Sequence, residues 1–148
     1  MSDSLAEQLV VFSLASEEYA LPIAAVHEII RHTEPRTVAS EVAWIRGVIG
    51  LRGKIVPIFD LAARLGVARG PDGAGKIVIV ETATGQVGVT VDEVEEVLTV
   101  PADQLETVPG ADAGTVRAIV KLGDRLVILL NPEGLFSRPA AGDELAAA

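Results

Sequence analysis

The chain has 148 residues, 49% of them hydrophobic, no cysteine and a formal net charge of −9. Without cysteine there is no disulfide, thiolate metal site or cysteine nucleophile. The acid excess and the 3% aromatic content argue against an anionic membrane surface and against a nucleic-acid groove, which needs clustered Lys/Arg and stacking rings.

No apolar run nears the roughly 20 residues of a membrane-spanning helix, so no direct membrane insertion is expected. Residues 1–7 lack the basic-then-apolar pattern of a secretory leader, and a cytoplasmic location is expected. Residues 8–14, rich in Val, Phe and Leu, read as a strand. The polar turn Ser16-Glu17-Glu18 follows, then a hairpin partner over 19–23 in which Tyr19, Leu21 and Ile23 alternate. Pro22 marks that strand's end or a sheet edge. Residues 24–30 fit two periods. Val26, Ile29 and Ile30 suit a helix, Val26, Glu28 and Ile30 suit a strand, and the pattern leaves both open.

Residues 36–38 read as a short extended piece. The spacing then predicts a short helix over 43–49, with Gly47 and Gly50 marking its end. Arg52-Gly53 is a tight turn and 54–59 a strand. Asp60 caps a helical turn over 61–65 that Gly66 stops. Residues 68–75, rich in Gly and Pro, read as an exposed loop. The order then restarts with a strand at 76–81, a turn at 82–86 and a hairpin partner in which Val87, Val89 and Val91 alternate. Residues 92–98 repeat the ambiguous segment, and 101–114 read as a polar loop. Residues 115–122 are extended or partly helical. Gly123-Asp124 is a hairpin turn, 125–130 a strand, and Asn131-Pro132 opens a last helical turn ending near Phe136. The Ala-rich tail, 138–148, has nothing to pack it and is expected to be disordered.

The restart is an internal repeat. Val26 aligns with Val94 at an offset of 68, which also pairs Glu28 with Glu96, Tyr19 with Val87 and Val11 with Ile79. Further on, Lys54-Ile55-Val56 aligns with Arg125-Leu126-Val127 at an offset of 71, and Asp60 with Asn131. The two halves are 8–67 and 76–137, able to exchange terminal strands. Each offers about five short strands and is marginal alone. Five strands with short turns bury one face most economically by curling into a small barrel, and two packed barrels leave a groove between them.

Several local patterns carry no chemistry. Gly70 to Lys76 spells GxxxxGK, but Ile77 stands where magnesium needs Ser or Thr, and the segment leads into a strand rather than joining strand to helix. Glu93, Glu95 and Glu96 lack calcium-loop spacing. His27 and His32 are not on one helical face, so no shared metal is expected. No Ser sits in a nucleophile elbow. Arg52, beside Gly53, has a guanidinium that faces a partner's carboxylate, anchors its turn, or is solvated. Glu28 sits among apolar neighbours, and Val26 and Ile29 are either core or an exposed patch for an apolar helix face.

Several segments together resemble the CheW family, the adaptors of bacterial chemosensory arrays. They are Phe12-x-Leu14 with Tyr19 to Ile23, then Val26-x-Glu28-Ile29, the run from Ile45 to Leu61, Val91-Asp92-x-Val94-x-x-Val97, and Leu126 to Asn131. The chain departs from the family pattern at Val42, Gly50 and Ala118. The resemblance implies a mostly β fold, two SH3-like five-stranded β-barrels packed together with short helices, in one domain over 8–137. It implies no catalysis, no cofactor and no metal. Its partners would be the regulatory domain of a CheA-like histidine kinase and the cytoplasmic tip of a chemoreceptor, a helical hairpin docking between the barrels. The matching positions are Val26, Glu28, Ile29, Gly47, Arg52 and Gly53. The rival functions are a CheW-like scaffold in a non-motility chemosensory pathway and a ligand-binding β-barrel. The second would need a pocket of converging polar groups.

Overall fold

The computed structural model describes residues 6–38, 44–67, 75–83, 85–107, 109–110 and 114–136. The first half contributes β1 (Ala6–Leu14), β2 (Glu17–Pro22), β3 (Val26–Arg31), β4 (Ile45–Leu51), β5 (Lys54–Phe59) and the helical turn α1 (Leu61–Leu65). The second contributes β6 (Lys76–Thr82), β7 (Gly85–Val91), β8 (Glu93–Pro101), the two-residue β9 (Leu105–Glu106), β10 (Val116–Leu122), β11 (Arg125–Leu130) and α2 (Pro132–Leu135). Branched Val and Ile dominate the strands, where their restricted χ1 suits a pleated surface.

The strands form two sheets, ordered β8-β1-β2-β11-β10-β9 and β3-β6-β7-β5-β4. Each sheet therefore mixes the two halves of the repeat. Strand β1 pairs with β8, and β2 lies parallel to β11, with Tyr19 opposite Ile128. In the other sheet β3 pairs with β6, and β5 lies parallel to β7, with Phe59 opposite Val89. The chain crosses between sheets at two short points, the 3₁₀ turn Ile23–Ala25 and the β7–β8 corner at Asp92.

Both sheets curl, yet among the described residues hydrogen bonding closes neither into a complete barrel. In the six-stranded sheet the two edge strands, β8 and β9, are consecutive and joined only by the 3₁₀ turn Ala102–Gln104. In the five-stranded sheet a single bridge, Arg36 to Val48, ties the chain beyond β3 to the far edge strand β4. Three cores result. Leu9, Val11, Val120, Val127 and Leu129 fill the six-stranded lobe. Ile49, Val56, Ile58, Ile77 and Ile79 fill the five-stranded one. A third core is shared between the lobes and includes Phe12, Leu21, Leu61, Val80, Val89, Leu130 and Leu135.

The local signals around the two helical turns hold. Asp60 accepts a bond from the Ala63 amide at 3.2 Å, and Gly66 ends α1 with φ 74°. Asn131 accepts from the Glu133 amide at 3.2 Å, with Pro132 opening α2. Other expectations are corrected. The helix over 43–49 is instead strand β4; Ala43 lies outside the described residues. Ile45, Val48 and Ile49 do have helical spacing. However, Gly47 and Gly50 weaken a helix, and ladder pairing with β5 from Ile45 opposite Phe59 to Leu51 opposite Lys54 decides the outcome. The open segment at 24–30 is a 3₁₀ turn followed by strand, and its counterpart at 92–98 is strand from Glu93 onward. The polar loop at 101–114 contains a 3₁₀ turn and β9. Residues 68–74 and the tail beyond Phe136 lie outside the described residues.

Candidate functional site

The β4–β5 hairpin turns on two residues, Arg52 and Gly53, with φ of 50° and 80°. Positive φ at both central residues is the type I′ turn, whose twist matches the flanking strands. The turn aims Arg52 across the open side of the five-stranded lobe. There its guanidinium donates a hydrogen bond to Oε1 of Glu28, on β3, the opposite edge strand. The pair is 24 residues apart in sequence and meets because the sheet curls. Arg52 leaves 68% of its side chain exposed and Glu28 22%. One member is thus presented while the other anchors it.

Arg52's hydrogen bond holds the Glu28 carboxyl below the usual carboxylate range; partial desolvation opposes this, and the charges of Arg52 and His27 reinforce it. The same bond raises the Arg52 guanidinium. His27 lies between two carboxylates, with Nε2 3.6 Å from Glu28 and Nδ1 3.7 Å from Glu81. Glu81 also accepts from the side-chain Nε2 of Gln86 at 2.9 Å.

The other sequence-predicted residues occupy different places. Ile29 is 41% exposed, whereas Val26 is half-buried and packs against the shared core. Neighbours on a strand point to opposite faces, so Ile29 and Glu28 do not present one continuous surface. Gly47 supplies room rather than a contact. A Cβ there would lie 2.1 Å from the carbonyl oxygen of Arg36, which accepts from the Val48 amide in the bridge that ties β4. Gly53 has open space around it.

The comparison of the repeats missed a second ion-pair cluster. Arg125, the first residue of β11, donates to Glu96 at 2.7 Å and to both carboxylate oxygens of Glu18 at 3.0 and 3.1 Å. Glu96 is the counterpart of Glu28, but Arg52 aligns with Gly123, two residues before Arg125. The loss of the arginine in the second half is therefore only apparent, since Arg125, two positions further on at the start of β11, supplies it. Exposed aliphatics repeat as well. Ile29 and Val97 are counterparts, 41% and 53% exposed, as are Ile55 and Leu126, 77% and 57% exposed. The signal lay in reading the alignment two residues further.

A groove lined by Lys54, Ile55, Pro57, Glu81 and Gln86 opens where β5 and β7 splay apart. A second, lined by Glu17, Glu106, Ile119, Lys121, Leu126 and Ile128, lies on the other lobe. Neither joins a nucleophile to a base. Among the described residues no cluster of three His, Asp or Glu side chains could hold a metal ion, and no helix is long and apolar enough to cross a membrane.

A family profile described as the CheW-like domain matches residues 8–140. The chain is 33% identical over 135 residues to the probable chemotaxis protein CheW of Rhizobium etli, covering 88% of this chain and 87% of that protein. It is 32% identical over 141 residues to the chemotaxis protein CheW of Klebsiella aerogenes, covering 91% and 84%. Among solved structures, that of the scaffolding protein TtCheW from Thermoanaerobacter tengcongensis matches with a TM-score of 0.82 at 34% identity, covering 89% of this chain and 88% of that one. With the profile spanning most of its length and a solved relative sharing its fold, the chain belongs to the CheW family, whose matched members bear the names of chemotaxis and scaffolding proteins.

Proposed function

We propose that the chain is a non-catalytic adaptor that couples the cytoplasmic tips of chemoreceptors to a CheA-type histidine kinase, and that it acts in the cytoplasm. The Glu28–Arg52 pair is the observation that carries this reading. It is an exposed, charge-assisted contact at the open side of one lobe, formed by two positions that match the family's partner-binding pattern. Ile29 adds an exposed aliphatic contact on β3 and Val26 sets that strand against the shared core. Gly47 and Gly53 let the backbone bring β4 and its turn into place. The adaptor does no bond chemistry. Two lobes packed on a common core hold two separate faces at a fixed angle, so a shift in one partner is felt by the other.

Calorimetry with a chemoreceptor tip and with a kinase regulatory domain, run separately, tests it. The wild-type chain is expected to bind each with a Kd on the order of micromolar, as transient signalling contacts do. Glu28→Arg and Arg52→Glu should fold normally and lose one partner. Wild-type levels of binding to both partners by both variants, or no binding of either partner by the wild type, would overturn the reading.

A further inference from the structure

We propose that Arg64 is a positioning residue that fixes the rotation of one lobe against the other, and with it the angle between the two partner faces. Arg64 sits in α1, which follows β5 of the five-stranded lobe. Its guanidinium reaches out of that lobe. Nε donates to the Leu135 carbonyl at 3.3 Å, and Nη2 to Thr115 Oγ1 at 3.3 Å. Thr115 leads into β10 of the six-stranded lobe, and Leu135 ends α2, which follows β11 of that lobe and seats in the shared core against β6. The same guanidinium lies 5.2 Å from the ring centre of Trp44, which immediately precedes β4. Beside it, Phe59 and Phe136 meet edge to face across the seam, centroids 5.3 Å apart.

The physical need for such a group follows from the seam. Its core is mostly Leu, Val and Phe, and apolar burial resists separation but is non-directional, so it opposes sliding weakly. The covalent crossings at Ile23–Ala25 and Asp92 act as pins about which the lobes can turn. The polar contacts of Asp92 with Ser13 and Ala15, and of Lys76 with Glu93, lie at one of those pins. Arg64 instead grips α2 and the entry to β10, which carry no crossing. A planar guanidinium bonded on two edges and stacked on a ring has one orientation, and hydrogen bonds fail steeply off-angle.

The functional consequence rests on the adaptor reading above; the geometric one does not. The chain has no cysteine, so spin labels at Ile55→Cys and Leu126→Cys, exposed on different lobes, report the lobe angle by pulsed dipolar spectroscopy. Arg64→Met keeps the stem and removes the bonds. It is expected to widen the label distance distribution at least twofold, and Arg64→Lys, which keeps the charge but not the fork, to widen it less. In a reconstituted receptor–kinase assay, Arg64→Met should keep each separate affinity within twofold and lower receptor-dependent kinase stimulation at least fivefold. A distribution in both variants superimposable on that of the unsubstituted background, with or without a fall in Tm, overturns the proposal. Failure of the unsubstituted chain to bind either partner refutes the adaptor reading and leaves the distance measurement to decide Arg64 alone.

Discussion

Gly134→Ala is the sharpest test of how α2 is seated. A Cβ on Gly134 would stand 1.5 Å from the carbonyl oxygen of Gly114 and 2.4 Å from its carbon. An ordinary carbon–oxygen contact needs about 3.4 Å, so α2 and residue 114 must part by roughly 2 Å, and close-packed interiors transmit that movement. The obstacle is backbone, and the Asn131 amide holds the same strip through a 2.8 Å bond to the Thr115 carbonyl, so no side chain can yield instead. A shift of that size pulls the fully buried Leu135 out of the shared core and lengthens the Arg64 bond to its carbonyl beyond hydrogen-bond reach. Truncating a buried leucine costs about 2–5 kcal/mol, and partly unseating one should cost about 2–4 kcal/mol. At about 3 °C per kcal/mol for a chain of this size, Tm should fall by about 10 °C. Urea unfolding at an unchanged m-value reads the loss directly. Gly50→Ala, with nothing within 4 Å of the new Cβ, is the control and should stay within about 0.5 kcal/mol of wild type. A Gly134→Ala variant as stable as that control would refute the seating of α2 against residue 114.

Reversing both members of the ion pair, Glu28→Arg with Arg52→Glu, should restore their mutual contact but not native affinity if the partner carries a fixed charge opposite Arg52; calorimetry of the double variant against the two singles checks this. In the β1–β2 hairpin, Ala15 and Ser16 hold φ of 55° and 70° without glycine, braced by the Ala15 amide donating to Asp92 at 2.9 Å. Ala15→Gly should therefore stabilise by about 0.5 kcal/mol in chemical unfolding, and Asp92→Ala should destabilise by about 1 kcal/mol. The Arg52 bond lowers Glu28, and the Lys76 bond, with the Val94 amide, lowers Glu93, so in that range the unfolded chain binds more protons than the folded one. Their contribution is complete above the ordinary glutamate value of 4.5 and is lost as pH falls through the lower folded values. A pH series of unfolding midpoints should show the acid slope reduced in Lys76→Met. Leu129→Ala, fully buried, should cost about 3 kcal/mol in chemical unfolding, whereas Leu126→Ala, 57% exposed, should cost under about 1 kcal/mol.

Much of this was legible because it is local. The caps at Asp60 and Asn131, the Gly66 stop and the strand around Val56 are each decided within a few residues. Strand β4 was misread because its apolar spacing is helical and its true partner lies across a two-residue turn. Glu28 and Arg52 each stood out in the sequence, yet their meeting depends on curvature, which no periodicity records. Arg125 was hidden by the alignment itself, which set glycine opposite Arg52. Which copy's strands pair with which was illegible, because β1–β2 and β6–β7 offer equivalent apolar patterns to either sheet.

The interleaving of the halves also sets the order in which the chain can fold as it is made. The five-stranded sheet lacks its centre until β6 and β7 exist, and β1 and β2 find their outer neighbours only with β8 and β11. Leu9, Val10, Val11 and Phe12, all buried in the finished protein, are therefore made well before β8 and can pair only with β2 until it follows. Long-range pairing of this kind is slow and exposes apolar strands meanwhile. A newly made chain is thus most open to aggregation, or to chaperone capture, at its β1–β2 hairpin, and translation pauses before β8 would lengthen that window.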